Sequence, residues 1–125
     1  MNVADSSAWL EYFADGPNAD RFAPAIEDLS RLIVPSICLL EVFKRVLQQR
    51  GEAEALQAIA QMQQGKVEDL TPEIAVAAGR LGFDLKLPLA DSVVLATSRK
   101  YKALLWTQDS DFDGIEGVKY FAKKK

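Results

Sequence analysis

Short apolar runs alternate with helix-length amphipathic segments along this chain, an order that closes into a parallel sheet with helices on both faces. The strand candidates are the apolar stretches Asn2 to Ala4, Leu32-Ile33-Val34 and Ala103-Leu104-Leu105-Trp106, the short and more polar Lys66 to Leu70, and the last strand Val118 to Phe121. Asp5-Ser6-Ser7 supplies capping side chains for a helix carrying Ala8, Trp9, Tyr12 and Phe13. Asp15-Gly16-Pro17 then breaks the chain, and Ala23 to Arg31 follows as a second short helix. Pro35-Ser36 opens a third helix whose apolar face of Leu39, Leu40, Val42, Phe43, Val46 and Leu47 is interrupted by Glu41. Glu52 to Gln64 gives a fourth helix, Thr71-Pro72-Glu73 starts a fifth that runs to about Leu81, and the sixth spans about Ala90 to Tyr101. In such a sheet ligands gather beyond the carboxyl ends of the strands.

With 125 residues, 49% hydrophobic and 26% charged, the chain has material for one folded domain with a real core, residues 1–125, and no room for a second. A formal net charge of -3 excludes a polycation that coats nucleic acid, so any such contact falls to local basic patches. The single cysteine, Cys38, lies among Ile37, Leu39 and Leu40 and reads as a buried apolar residue of a protein in the reducing cytoplasm. No basic segment followed by an apolar stretch opens the sequence, and no apolar run approaches the roughly 20 residues of a membrane span. Neither secretion nor membrane insertion is expected.

Four acids stand out by position. Asp5 and Asp109 each follow an apolar run, while Glu41 and Asp91 fall in early turns of helices that can lean over the same sheet edge. Singly, each has an ordinary explanation: Asp5 as a helix cap, Glu41 as a solvated helix residue, Asp91 as a first-turn acid favoured by the helix dipole, Asp109 as a turn former. Jointly they imply one acidic pocket. Two carboxylates ~5 Å apart at an effective dielectric of ~20 repel by roughly 3 kcal/mol, whereas a helix dipole returns only about 0.3–1 kcal/mol to each acid. Something cationic must offset the sum. The chain contains no histidine, which removes the commonest metal ligand and the usual neutral-pH proton shuttle. Hard divalent cations such as Mg²⁺ or Mn²⁺, which prefer oxygen ligands, meet the requirement, and hydrolysis of a phosphodiester is the fitting reaction.

The sequence also resembles the PIN-domain ribonucleases, and among them the VapC-type toxins of toxin–antitoxin pairs, over essentially its full length. The resemblance rests on Val3-Ala4-Asp5-Ser6-Ser7-Ala8, on Pro35-Ser36 with Leu40-Glu41-Val42, on the segment from Leu87-Pro88-Leu89-Ala90-Asp91-Ser92 to Thr97, and on Thr107-Gln108-Asp109-Ser110-Asp111-Phe112. It implies an α/β three-layer sandwich with a five-stranded parallel sheet, a metal-dependent endoribonuclease and an acidic quartet at Asp5, Glu41, Asp91 and Asp109. By the same resemblance Asp5 and Asp91 are the principal ligands of Mg²⁺ or Mn²⁺, and Glu41 and Asp109 complete the pocket directly or through water. Ser7 and Thr107 are candidate hydroxyl helpers, and Asp111 and Asp113 offer further acids. A VapC-like protein is expected to form a homodimer and to be silenced by an antitoxin that covers the acidic groove. Trp9, Phe13 and Leu47 are candidates for the dimer or antitoxin surface.

Lys44, Arg45 and Arg50 near the third helix, and Arg99, Lys100 and Lys102 near the sixth, are candidate contacts to RNA phosphates, against the ordinary reading of solvated surface charge. Trp9, Tyr12, Phe13 and Phe43 recur at helical spacing among apolar neighbours, which favours packing over base stacking. Two other functions compete: a PIN-like module that binds RNA or protein without cutting, and a receiver-like or phosphatase-like phosphotransfer domain. Receivers want paired acids after the first strand, and the phosphatases want an aspartate two positions beyond the first, where this chain has Ser7.

Overall fold

The computed structural model describes residues 1–124. Five strands, β1 (Asn2–Ala4), β2 (Leu32–Pro35), β3 (Lys66–Glu68), β4 (Leu104–Thr107) and β5 (Val118–Tyr120), form one parallel sheet in the order β3-β2-β1-β4-β5. Register is set by pairs such as Val3 with Ile33, Val3 with Leu105, and Leu105 with Val118. The sheet is flanked by six α-helices: α1 (Ser6–Phe13), α2 (Ala19–Ile26), α3 (Ser36–Arg50), α4 (Glu52–Met62), α5 (Pro72–Leu85) and α6 (Leu89–Lys100). The central strands carry side chains buried on both faces, Val3, Ala4, Leu32, Ile33, Val34 and Leu105 among them, as a sheet covered on both sides requires. From β1 the chain builds outward to β2 and β3, then returns to add β4 and β5 on the other side. The two directions of winding diverge between β1 and β4, the place where a parallel sheet opens a crevice.

Local chemistry sets the element ends that matter here. Asp5 caps α1 by accepting from the Ala8 amide at 3.0 Å, and Thr71 caps α5 by accepting from Ile74 at 3.2 Å, with Pro72 at the first helical position. Gly51, at φ 93°, ends α3 and admits the turn into α4 without strain on a Cβ.

The second helix differs from the sequence reading. It spans Ala19–Ile26 rather than Ala23 to Arg31, with Pro24 in its interior and Leu29–Arg31 as a separate 3-10 turn. Burial of Ala19, Phe22, Ala25 and Ile26 on one face starts the helix a turn earlier and carries it through Pro24. Helix α5 runs to Leu85, four residues beyond the expected end, and stops where Lys86 turns left-handed at φ 55°.

Trp9, expected at a dimer or antitoxin surface, lies inside the molecule. It is 1% exposed and stacks on Phe13, with ring centroids 5.5 Å apart, so it belongs to the core rather than to a dimer or antitoxin surface. Phe13 is half-buried and Leu47 is exposed. Cys38 is fully buried, its thiol pushed up by burial and by the charges of Asp5, Glu41 and Asp91 above it. No helix among the described residues is long and apolar enough to cross a membrane.

Candidate active site

The carboxyl ends of β1 and β4 each deliver an acid. Asp5 leaves β1 and is buried, with every carboxylate oxygen engaged: Oδ1 accepts from Ser7 Oγ at 2.7 Å and from the Ala8 amide, and Oδ2 accepts from Thr107 Oγ1 at 2.6 Å. Thr107, the last residue of β4, uses the same hydroxyl to accept from the Asp109 amide at 2.9 Å. One threonine thereby fixes both the first acid and the loop that carries the second. Asp109 in turn accepts from the Asp111 amide at 2.9 Å, which folds the loop into a 3-10 turn and brings Asp111 back toward the sheet.

Helix α6 contributes Asp91 in its first turn. Oxygen atoms of Asp91, Asp109 and Asp111 lie within 4.8 Å of one another. Asp5 and Glu41 stand close enough for their charges to act on Asp91. Burial, and after it the charges of Asp109, Asp5, Asp111 and Glu41 in falling order, push the Asp91 carboxyl up to about 7. Asp5 is pushed up to about 6, burial outweighing the bonds from Thr107, Ser7 and Ala8 that favour its ionised form. Two aspartates that hold protons near neutrality mark a site short of positive charge. Among the described residues none of these acids has a lysine or arginine within ion-pairing distance.

The tightest grouping is therefore Asp91, Asp109 and Asp111, with Asp5 held rigidly beside it and Glu41 contributing from the second turn of α3. Asp113, at the end of the 3-10 turn, lies outside that grouping and is exposed. The donor set is all carboxylate oxygen, which suits a hard divalent cation.

The two basic groups separate. Asp91 opens α6 and Arg99 and Lys100 close it, so about 12 Å of helix divides them from the acids. There Lys100 pairs with Glu68 at 3.2 Å and Arg99 reaches the Glu116 carbonyl at 3.4 Å, while Lys102 sits in a left-handed turn at the opposite sheet edge. These three do not face the pocket. Lys44 and Arg45 follow Glu41 on α3, and Arg50 pairs with Glu54 at 3.4 Å.

Sequence reasoning missed Asn18 and Gln108. Asn18, fully buried, donates to Gln108 Oε1 and to the Ala122 carbonyl, both at 3.0 Å, and the Gln108 amide donates to Ser7 Oγ at 3.2 Å. This ties the loop before Asp109 to the loop before α2. No sequence signal marks the pair, because 90 residues separate them.

The fold agrees with solved structures across nearly the whole chain. A toxin–antitoxin complex from Klebsiella pneumoniae superposes with a TM-score of 0.78 at 21% identity, covering 95% of this chain and 96% of that one. VapC20 of Mycobacterium tuberculosis, described as a sarcin-ricin loop cleaving toxin, gives 0.76 at 17% identity over 93% and 95%. VapBC-1 of nontypeable Haemophilus influenzae gives 0.71 at 17% over 97% and 96%. At these identities the likeness establishes the fold. No curated protein matches in sequence. The PIN domain model matches residues 3–118, a span that runs from Val3 of β1 to the first residue of β5 and holds every acid of the pocket, and the chain belongs to the PIN domain family.

Proposed function

We propose that this protein is a metal-dependent endoribonuclease, the toxin of a VapBC-type pair. The observation that carries the reading is the convergence of Asp5, Glu41, Asp91, Asp109 and Asp111 on one crevice, where among the described residues no lysine or arginine lies within ion-pairing distance of them. Asp5 and Asp91 would be the principal ligands of Mg²⁺ or Mn²⁺, with Glu41 and Asp109 completing the site directly or through water and Asp111 added by its place within 4.8 Å of Asp91 and Asp109. Bound there, the ion supplies a water of lowered pKa and neutralises charge on the phosphate under attack. The chain's own residues hold that geometry: Ser7, Thr107 and the Ala8 amide fix Asp5, and Thr107 and Asp109 shape the loop.

The solved relatives named as toxin–antitoxin complexes support an antitoxin partner for this chain. Val76, Phe83 and Leu89, apolar side chains each more than three-quarters exposed on α5 and at the start of α6, support a homodimer that would cover them. A cytoplasmic location accords with the reduced, buried Cys38. An inactive binding module would have no need for so costly a cluster of acids, and this chain has Ser7 where a phosphotransfer domain of the phosphatase kind wants a second aspartate.

The test is cleavage of RNA by purified protein in Mg²⁺ or Mn²⁺ against EDTA, with Asp5→Asn and Asp91→Asn alongside. Metal-stimulated cutting should fall by about a hundredfold or more in either variant. Equal cutting by parent and both variants would remove the mechanism, and no cutting under any condition would favour the binding module.

A further inference from the structure

A groove of about 600 Å³ opens next to the acids between α1, α3 and α4. Its near wall is Ser7 and Gln108, the first bonded to Asp5 and the second immediately preceding Asp109, so a chain lying across the acids continues into it. Phe13, Arg45, Gln57 and Gln61 line it further out. Arg45 stands one helical turn beyond Glu41 on the same face of α3, roughly 6 Å along the axis. Among the described residues it has no carboxylate within 4.0 Å, whereas Arg50 is engaged by Glu54. The groove's other acid, Glu11, accepts from the Asn18 amide at 2.8 Å. An uncompensated guanidinium, side-chain amides and an aromatic ring are together the chemistry that receives an unpaired nucleic acid strand: charge for a phosphate, donor–acceptor pairs for base edges, a ring for stacking. A dry apolar groove would instead favour a helix of a partner protein.

Resting on the nuclease reading, we propose that the single-stranded RNA flanking the scissile phosphate threads this groove, with a backbone phosphate on Arg45 and base edges on Gln57 and Gln61. Arg45 is then an affinity residue, and the two glutamines decide which sequences are held best.

The experiment measures fluorescence anisotropy of unstructured RNA 12-mers of several sequences in Mg²⁺, across a salt series, in an Asp91→Asn background that prevents cutting. Arg45→Ala should weaken every oligomer about fivefold and flatten the log–log salt slope by about 0.7, the share of one single-strand phosphate. Arg45→Lys should restore the slope. Gln57→Ala with Gln61→Ala should alter the ranking of oligomers and leave the slope in place. Circular dichroism reports whether each variant is folded, and all three positions are exposed. An unchanged slope in Arg45→Ala with an unchanged ranking in the glutamine variant overturns the proposal and leaves the groove to a protein partner. If the parent protein still cuts RNA in Mg²⁺, that failure is confined to the groove. A parent that neither cuts nor binds RNA sinks the nuclease reading and this inference together.

Discussion

Thr107 shows how much one side chain does at this site, since its hydroxyl donates to Asp5 and accepts from the Asp109 amide. Thr107→Val removes both bonds at nearly constant volume. With a bond that favours its carboxylate gone, Asp5 should be pushed further up, and metal-stimulated cleavage should fall by about 10–100-fold, with Thr107→Ser recovering most of it. A pH series of metal binding followed by calorimetry should show the midpoint moved upward in the valine variant; an unmoved midpoint would assign Thr107 to packing alone. Asp91→Asn carries a complementary expectation. Relieved of the repulsion from Asp109, Asp5, Asp111 and Glu41, the metal-free variant should melt higher than its parent while losing the rise that metal confers. Asp5 was readable in sequence because a cap and a pocket acid are both local statements about the end of a strand. Asn18 was not, because its reason for existing is Gln108, far along the chain.

At the scale of elements, the junction of α5 and α6 aims Asp91. A Cβ on Gly82 would sit 2.7 Å from Ser92 Oγ, the side chain next to Asp91, whereas one on Gly79 would meet nothing within 4 Å. Gly79→Ala should therefore stabilise the protein by about 0.5–1 kcal/mol through helix propensity alone. Gly82→Ala should give up that gain, because Ser92 must turn away from its 2.9 Å bond to the Pro88 carbonyl. Urea unfolding of the two variants decides it, and equal gains would show that the contact is slack. The strand and helix order was legible from alternation and caps. The start of α2 was not: the expected helix began at Ala23, and only the burial of Ala19 and Phe22 makes the turn before it worth forming.

For the molecule as a whole, Asp5 and Asp91 bind protons more tightly in the native state than in the unfolded chain, where aspartates titrate near 3.8. Their contribution is fully present below about pH 4 and is lost as pH rises toward about 7, so metal-free stability from these groups falls across that window. Mg²⁺ or Mn²⁺ competes with those protons, so its stabilisation, about 2.7 kcal/mol at a hundredfold excess over Kd, should be larger at pH 8 than at pH 5. Thermal melts in EDTA and in Mn²⁺ across this range test it, and a melting temperature indifferent to metal at pH 8 would count against the site. We further propose that residues 1–125 fold as one domain, which predicts coincident unfolding transitions by circular dichroism and by tryptophan fluorescence. The sequence by itself determined the alternation of strands and helices, the caps, and which acids stood at strand ends or helix starts, because these depend on neighbours within a turn or two. Only the tertiary structure decided that Asp111 joins Asp91 and Asp109, that Trp9 is interior, and that Arg99, Lys100 and Lys102 lie at the far end from the acids. Those facts follow from strand order and helix direction, which bring residues many tens of positions apart to one edge of the sheet or send them to the other.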